Sequence, residues 1–162
     1  NFEEVGHVLR GEVGQMTRGR NYMLIKDRKL FYLVPSYEKD TKEYIVRNFE
    51  SLDELPFQLR LEKVPKSACI FDEQREYLGE SAVQFPWTVR LWRPGDVFRP
   101  LGMNGSKKVS DFLNNLRLPR HRKESTYVVL QNDTIIWVFG HRIAESAKVG
   151  EGDNFAYLAT LK

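Results

Sequence analysis

Lys107 and Lys108 stand side by side in the stretch RPGDVFRPLGMNGSKKVSDFLNN (93–115), behind a glycine-rich loop and in front of an amphipathic run. Val109, Phe112, Leu113 and Leu116 recur at spacings of three, one and three, which is one apolar face of a helix. Ser106 is a favourable N-cap residue, so the pattern predicts a helix over about 106–117, ending before Pro119, with the two lysines at its first two positions. The helix dipole places partial positive charge there, which disfavours each lysine by a few tenths to about 1 kcal/mol. Unpaired amides, dipole and two ammonium groups would converge on one point, an anion site that suits phosphate. Gly102 and Gly105 would let the backbone approach a bulky ligand closely. Two solvated lysines beside an ordinary turn fit the same residues about equally well.

More cations flank the loop. Arg90, Arg93 and Arg99 precede it, Arg117, Arg120, Arg122 and Lys123 follow it, and Arg142 lies just past Gly140 at the end of an apolar run. Residues 87–124 hold 9 Lys and Arg against 3 Asp and Glu, or +6, whereas 1–86 hold 13 against 15 and 125–162 hold 3 against 4. The net charge of +3 therefore conceals one basic block. Such a block is the footprint of a polyanion partner, with a solvated basic face as the alternative. Backbone phosphates of a duplex or A-form RNA fit it better than a stacked single strand. Trp87 and Trp92 could stack on bases, but the alternation of 85–92 turns Trp87 toward a core.

These residues need a scaffold, and the pattern around them predicts strands. YMLIKD (22–27) and KLFYLVP (29–35) read as a hairpin, and EYIVRNF (43–49) and FQLRLEKV (57–64) alternate like half-buried strands. SACIFDE (67–73) reads as a buried strand, FPWTVRLWRPGD (85–96) as another broken at Pro94-Gly95. TYVVLQND (126–133) and TIIWVFGHRI (134–143) form a hairpin about Asn132-Asp133, and FAYLATLK (155–162) is a closing strand. Residues 1 to about 10 read as the tail of a helix, with residues 1–14 as the end of a preceding helix or linker and 15–162 as the domain. The expected fold is a strand-rich α+β module with one main helix. Seven Tyr, ten Phe and three Trp argue against disorder.

Catalytic signatures are missing: the sequence has no GxxxxGK[ST] loop, Gly-x-Ser-x-Gly elbow, HExxH or CxxC. Cys69, the single cysteine, sits in an apolar run and reads as a buried, inert thiol. One cysteine suits a reducing compartment, no run approaches the roughly 20 apolar residues of a membrane span, and the expected location is the cytoplasm. The chain starts at Asn1 rather than Met, as a fragment of a longer protein would. A module that binds an RNA backbone, a non-catalytic module for another polyanion or a protein partner, and a small self-contained enzyme are the classes to weigh. The third is the one that the missing motifs disfavour.

From residue 92 to residue 143 the chain resembles the C-terminal region of tRNA(Ile)-lysidine synthase. RPGDVFRPLGMNGSKKVSDFLNN, then LPRHR, then IIWVFGHRI follow the family pattern in order, with residues 87–162 as the recognisable module. The resemblance implies a β-sandwich-like core similar to a domain of the phenylalanyl-tRNA synthetase β subunit. It implies a parent that ligates lysine to the wobble cytidine of an isoleucine tRNA, with ATP and Mg2+ handled by an N-terminal domain whose SGGxDS loop this sequence lacks. A homodimeric parent is a further open expectation. For this chain it implies a grip on the acceptor stem and its phosphates, no cofactor of its own and no catalytic residue. Lys107, Lys108, Arg99, Arg93, Ser106, Gly105, Arg120, Arg122 and Arg142 are the expected tRNA-binding residues. The chain departs from the family in its linker, at His121 and Lys123, and in AESAKVGEGD after Arg142.

Overall fold

The computed structural model describes residues 2–20, 22–35, 41–72 and 75–161. Asn1, Glu73 and Lys162, each at the end of an expected element, lie outside the described residues. The chain divides into two compact units, one of residues 1–40 with 114–125, the other of residues 41–113 with 126–162.

In the first unit α1 (Phe2–Arg10) is followed by β1 (Met16–Arg18), β2 (Tyr22–Asp27) and β3 (Leu30–Pro35), an antiparallel sheet in that order. The β2–β3 hairpin is the expected one. Period-two alternation buries Met23 and Ile25 on one face. The turn is closed by Arg28 in the left-handed region, φ 48°.

The second unit carries two larger sheets and a ribbon. Its strands are β4 (Tyr44–Val46), β5 (Leu59–Pro65), β6 (Glu76–Gly79), β7 (Trp87–Leu91), β8 (Val97–Phe98), β9 (Lys107–Lys108), β10 (Tyr127–Gln131), β11 (Thr134–Val138), β12 (Arg142–Ile143) and β13 (Phe155–Leu161). One sheet has the order β12-β11-β10-β7-β4, a second β5-β13-β6, and β8 pairs with β9. Both sheets contribute to a single core that includes Val46, Leu59, Leu78, Trp87, Val129 and Trp137. Trp87 and Trp137 are fully buried. Each ring takes roughly 150–250 Å² out of water, about 4–6 kcal/mol before entropy. Trp87 is thus a core residue, its Nε1–H donating to the Ala82 carbonyl at 2.9 Å, and it is not a base-stacking platform. The β10–β11 hairpin turns through Asn132 and Asp133 with φ of 47° and 60°, a primed turn that matches strand twist.

Three sequence expectations need correction. The helix expected over 106–117 is α2, Val109–Asn115. Ser106 lies three residues ahead of the first residue of α2, and Lys107 and Lys108 are extended, paired with Phe98 and Val97. The ladder to β8 holds residues 107–108 extended, and the Val109 N–H, a donor that the first helical turn leaves unpaired, is satisfied at 2.9 Å by the Asp96 carbonyl. The apolar face survives in part: Val109 and Leu113 are buried, but Leu116 is 43% exposed and Arg117 (φ 54°) lies past the helix end in the left-handed region. The second correction is SACIFDE. A 3-10 turn over Lys66–Ala68 interrupts it, Ile70 and Phe71 are exposed at 61% and 66%, and the strand lies instead at β6. Cys69 is accordingly half-buried rather than buried; burial pushes its thiol pKa up, against the opposing pull of Lys66. Third, the strand expected over 43–49 is only Tyr44–Val46 and gives way to a 3-10 turn over Glu50–Glu54.

Candidate nucleic-acid interface

The loop that carries the lysines begins where β7 ends. Arg90 faces inward on β7, 9% exposed, and its guanidinium donates from Nη1 and Nη2 to the two carboxylate oxygens of Asp96, each at 2.9 Å. Nη1 also donates to the Leu91 carbonyl at 3.0 Å. Asp96 in turn accepts the Arg93 N–H at 2.7 Å, while its own N–H donates to the Arg93 carbonyl at 3.1 Å. This reciprocal RPGD turn needs Gly95, whose φ is 96°. Burial works to raise the Asp96 carboxyl pKa, but the hydrogen bonds from Arg90 and the Arg93 amide win, and it lies below the ordinary carboxylate value. The same pairing raises the Arg90 pKa.

The loop itself is fastened to the segment around β12. Leu101 N–H donates to the Ile143 carbonyl at 3.0 Å, Glu145 N–H to the Arg99 carbonyl at 2.8 Å, and Pro100 bridges Ala144. The Glu145 carboxylate accepts the Gly102 N–H at 2.9 Å and pairs with Lys148 at 2.5 Å, which together hold its pKa below the usual range. Gly102 has φ 80° and so requires glycine. At Gly105 no atom lies within 4 Å of where a Cβ would stand, leaving open space for close approach.

The expected contact residues fall into two groups. Arg93, Arg99, Gly105, Ser106, Lys107, Lys108 and Arg142 belong to the second unit and sit on or beside this loop. Arg99 donates from Nε to the Met103 carbonyl at 2.8 Å, and Arg142 from Nη2 to the Leu101 carbonyl at 3.4 Å, so both brace the loop while remaining exposed. Arg93 pairs with Glu43 at 2.8 Å, with both side chains about half exposed. An ion pair of that kind is worth roughly 0–1 kcal/mol, little enough for a phosphate to displace. Lys107 is half-buried and Lys108 exposed, as neighbours on a strand pointing to opposite faces should be. The convergence of both ammonium groups on a helix N-terminus is therefore replaced by a two-faced ribbon.

Arg120 and Arg122 belong to the first unit, on α3 (Arg120–Glu124), a five-residue helix where the sequence suggested a linker. Arg120 is engaged with Glu124 at 2.7 Å and with the Gly14 carbonyl at 3.2 Å, and Lys123 donates to Asn114 Oδ1 at 2.9 Å. Arg122 is exposed. His121 packs on Tyr32, ring centroids 5.1 Å apart, and burial followed by the nearby Arg122 charge lowers its pKa. The sequence marked Arg90 only as a flanking cation, not as the buried partner of Asp96, and left Asp96 and Glu145 out of the site. For Asp96 the available signal was an Asp three residues after Arg93 across Pro-Gly, the spacing of a side-chain-closed turn.

The fold and the site define a strand-rich α+β domain with a pinned, basic loop. Residues 87–158 match the family described as the TilS substrate C-terminal domain. The tRNA(Ile)-lysidine synthase of Parabacteroides distasonis is 27% identical over 152 residues, covering 92% of this chain and 35% of that protein. That of Bacteroides thetaiotaomicron is 27% identical over 150 residues, 93% of this chain and 33% of that protein. That of Geobacter sulfurreducens is 44% identical over 68 residues, 42% of this chain and 14% of that protein. The crystal structure of a TilS C-terminal domain superposes with a TM-score of 0.53 at 19% identity, over 75% of this chain and 97% of that one, a likeness of fold. Over residues 87–158 the chain is thus similar to the TilS substrate C-terminal domain, and over most of its length to tRNA(Ile)-lysidine synthases. It spans about a third of the length of the Parabacteroides and Bacteroides relatives.

Proposed function

We propose that this chain grips isoleucine tRNA through backbone phosphates of the acceptor stem, as the C-terminal fragment of a lysidine synthase. The observation that carries the reading is the exposed basic loop of residues 93–108, braced along its length and set in the family-matched segment. Lys107, Lys108, Arg99, Arg93 and Arg142 supply charge, Ser106 and Gly105 supply polar groups and room, and Arg122 with Arg120 supplies cations from the first unit. The parent's ligation of lysine to a wobble cytidine, with ATP and Mg2+, is assigned to an N-terminal domain beyond this chain, and this chain alone is assigned no ligase activity. Among the described residues no three His, Cys, Asp or Glu side chains come together that could hold a metal ion. The cytoplasmic setting, a homodimeric parent, the role of residues 1–14 as the end of a preceding element and the kinship to a phenylalanyl-tRNA synthetase β domain form part of the same proposal. No helix among the described residues is long and apolar enough to cross a membrane.

Titration of isoleucine tRNA by fluorescence anisotropy across a salt series tests the reading. Lys107→Ala with Lys108→Ala should weaken binding and reduce the log–log salt slope by about 1 to 2. An unchanged slope would overturn the role of the two lysines and favour a module for a different partner.

A further inference from the structure

One residue joins the end of β7 to the residue that follows the lysine pair. Asp96 fixes the start of β8 through its side chain, which takes two hydrogen bonds from buried Arg90 and one from the Arg93 amide. Its main-chain carbonyl takes the N–H of Val109, the residue immediately after Lys108, at 2.9 Å. Next to Asp96 along the chain, Val97 and Phe98 pair with Lys108 and Lys107. Residues 96–98 and 107–109 thus form a closed base, and that base is anchored to β7 by the Arg90–Asp96 pair, whose side chains are 11% and 12% exposed. We infer that Asp96 is a positioning residue for phosphate binding, holding Lys107 and Lys108 in register through the β8–β9 ribbon.

The inference rests on the phosphate-binding reading above, yet it makes a demand which simple electrostatics opposes. Asp96→Asn removes a negative charge beside a basic loop, so Coulomb attraction alone would leave RNA binding equal or tighter. Positioning requires the reverse. An amide can accept one hydrogen bond from Arg90 but cannot give the paired, charge-assisted contact, so the base of the ribbon loosens.

The experiment is a double-mutant cycle on tRNA affinity at fixed salt, with the salt slope measured for each corner. Asp96→Asn in the otherwise unaltered chain should weaken binding about tenfold and lower the slope by about 1, as loss of a phosphate contact does. In the Lys107→Ala/Lys108→Ala background the same substitution should change affinity less than about twofold, because the groups it positions are gone. Glu62→Gln, a charge removal on exposed β5, should not weaken binding. Equal weakening in both backgrounds would show a general loss of structure and overturn the inference. Unchanged or tighter binding by Asp96→Asn would do the same. If the lysine variant itself keeps the full slope, the phosphate reading fails and this inference falls with it; if only Asp96→Asn is silent, the inference alone falls. Should Asp96→Asn not fold by tryptophan fluorescence, Arg90→Lys carries the cycle, keeping the cation but not the two parallel hydrogen bonds.

Discussion

Replacing Arg90 with alanine would leave the Asp96 carboxylate, 12% exposed, without its cation while it still holds the Arg93 amide. Breaking a buried pair by removing one member costs about 3–5 kcal/mol, because the remaining charge is stranded. Three hydrogen bonds from Arg90 vanish together, two to Asp96 and one to the Leu91 carbonyl. The small residual exposure lets water or a proton reach the carboxylate, so the lower end, about 3 kcal/mol, is expected. For a chain of this length that corresponds to a fall of roughly 6–12 °C in Tm. Trp87, Trp92 and Trp137 all lie in the second unit with Arg90, so tryptophan fluorescence during urea unfolding reads the relevant region. Asp96 has a lowered pKa in the fold, so its stabilisation is present above the unfolded value, about 3.9, and is lost as pH falls through the lower folded value. In Arg90→Ala, burial without the cation reverses the sign for Asp96. The gap between the two proteins should therefore be full at pH 7 and shrink as pH falls below the unfolded value. Adding Asp96→Asn to Arg90→Ala should recover part of the loss by removing the stranded charge. A gap under about 1 kcal/mol at pH 7, or one that does not change with pH, would refute the reasoning.

Two further predictions concern neighbouring strands. Asp133 holds φ 60° in the β10–β11 turn, so Asp133→Val should destabilise by about 1–2 kcal/mol while Asp133→Gly is neutral or stabilising by a few tenths; urea midpoints of the two variants check this. Burial raises the Glu76 pKa, with the Ile143 amide and then Arg142 acting the other way, so its contribution is fully present below the unfolded value, about 4.3, and lost as pH rises through the folded one. Glu76→Gln should consequently be more stable than the unaltered chain at pH 7, and the advantage should vanish near pH 4 in the same unfolding assay.

Elements whose burial follows local alternation were legible in the sequence. The β2 strand of the first hairpin is one; β10, β11 and β13 were legible instead as apolar runs, and Asn132-Asp133 carries its own turn chemistry. The first turn of α2 was not, because Ser106 and the two lysines are compatible with either a cap or a strand. Pairing of Lys107 with Phe98 and of Lys108 with Val97 decides for the strand, and these partners lie nine and eleven residues upstream. SACIFDE misled for the opposite reason: its composition is that of a buried strand, but the turn over Lys66–Ala68 exposes Ile70 and Phe71. The grouping of 114–125 with the N-terminal residues was invisible too, since it is made by contacts such as Arg120 to the Gly14 carbonyl and His121 to Tyr32.

The strand geometry of Lys107 and Lys108 changes what the basic loop can contribute. A helix N-terminus would add amide donors and dipole to the two ammonium groups, giving a point-like anion site that persists at moderate salt. Two lysines on opposite faces of a ribbon have neither aid, so on the proposed reading their contribution is Coulombic and counterion-driven, and strongly salt-dependent. Contacts of that kind set register along a duplex but carry no base information. The RNA contact proposed for this chain should then discriminate by backbone shape rather than by sequence. Choice among tRNAs of the same shape would fall to other parts of the parent protein. On the same proposed reading the loop adds rigidity instead: Asp96 at its base and Glu145 at Gly102 brace it, so little order would have to be gained on binding a phosphate.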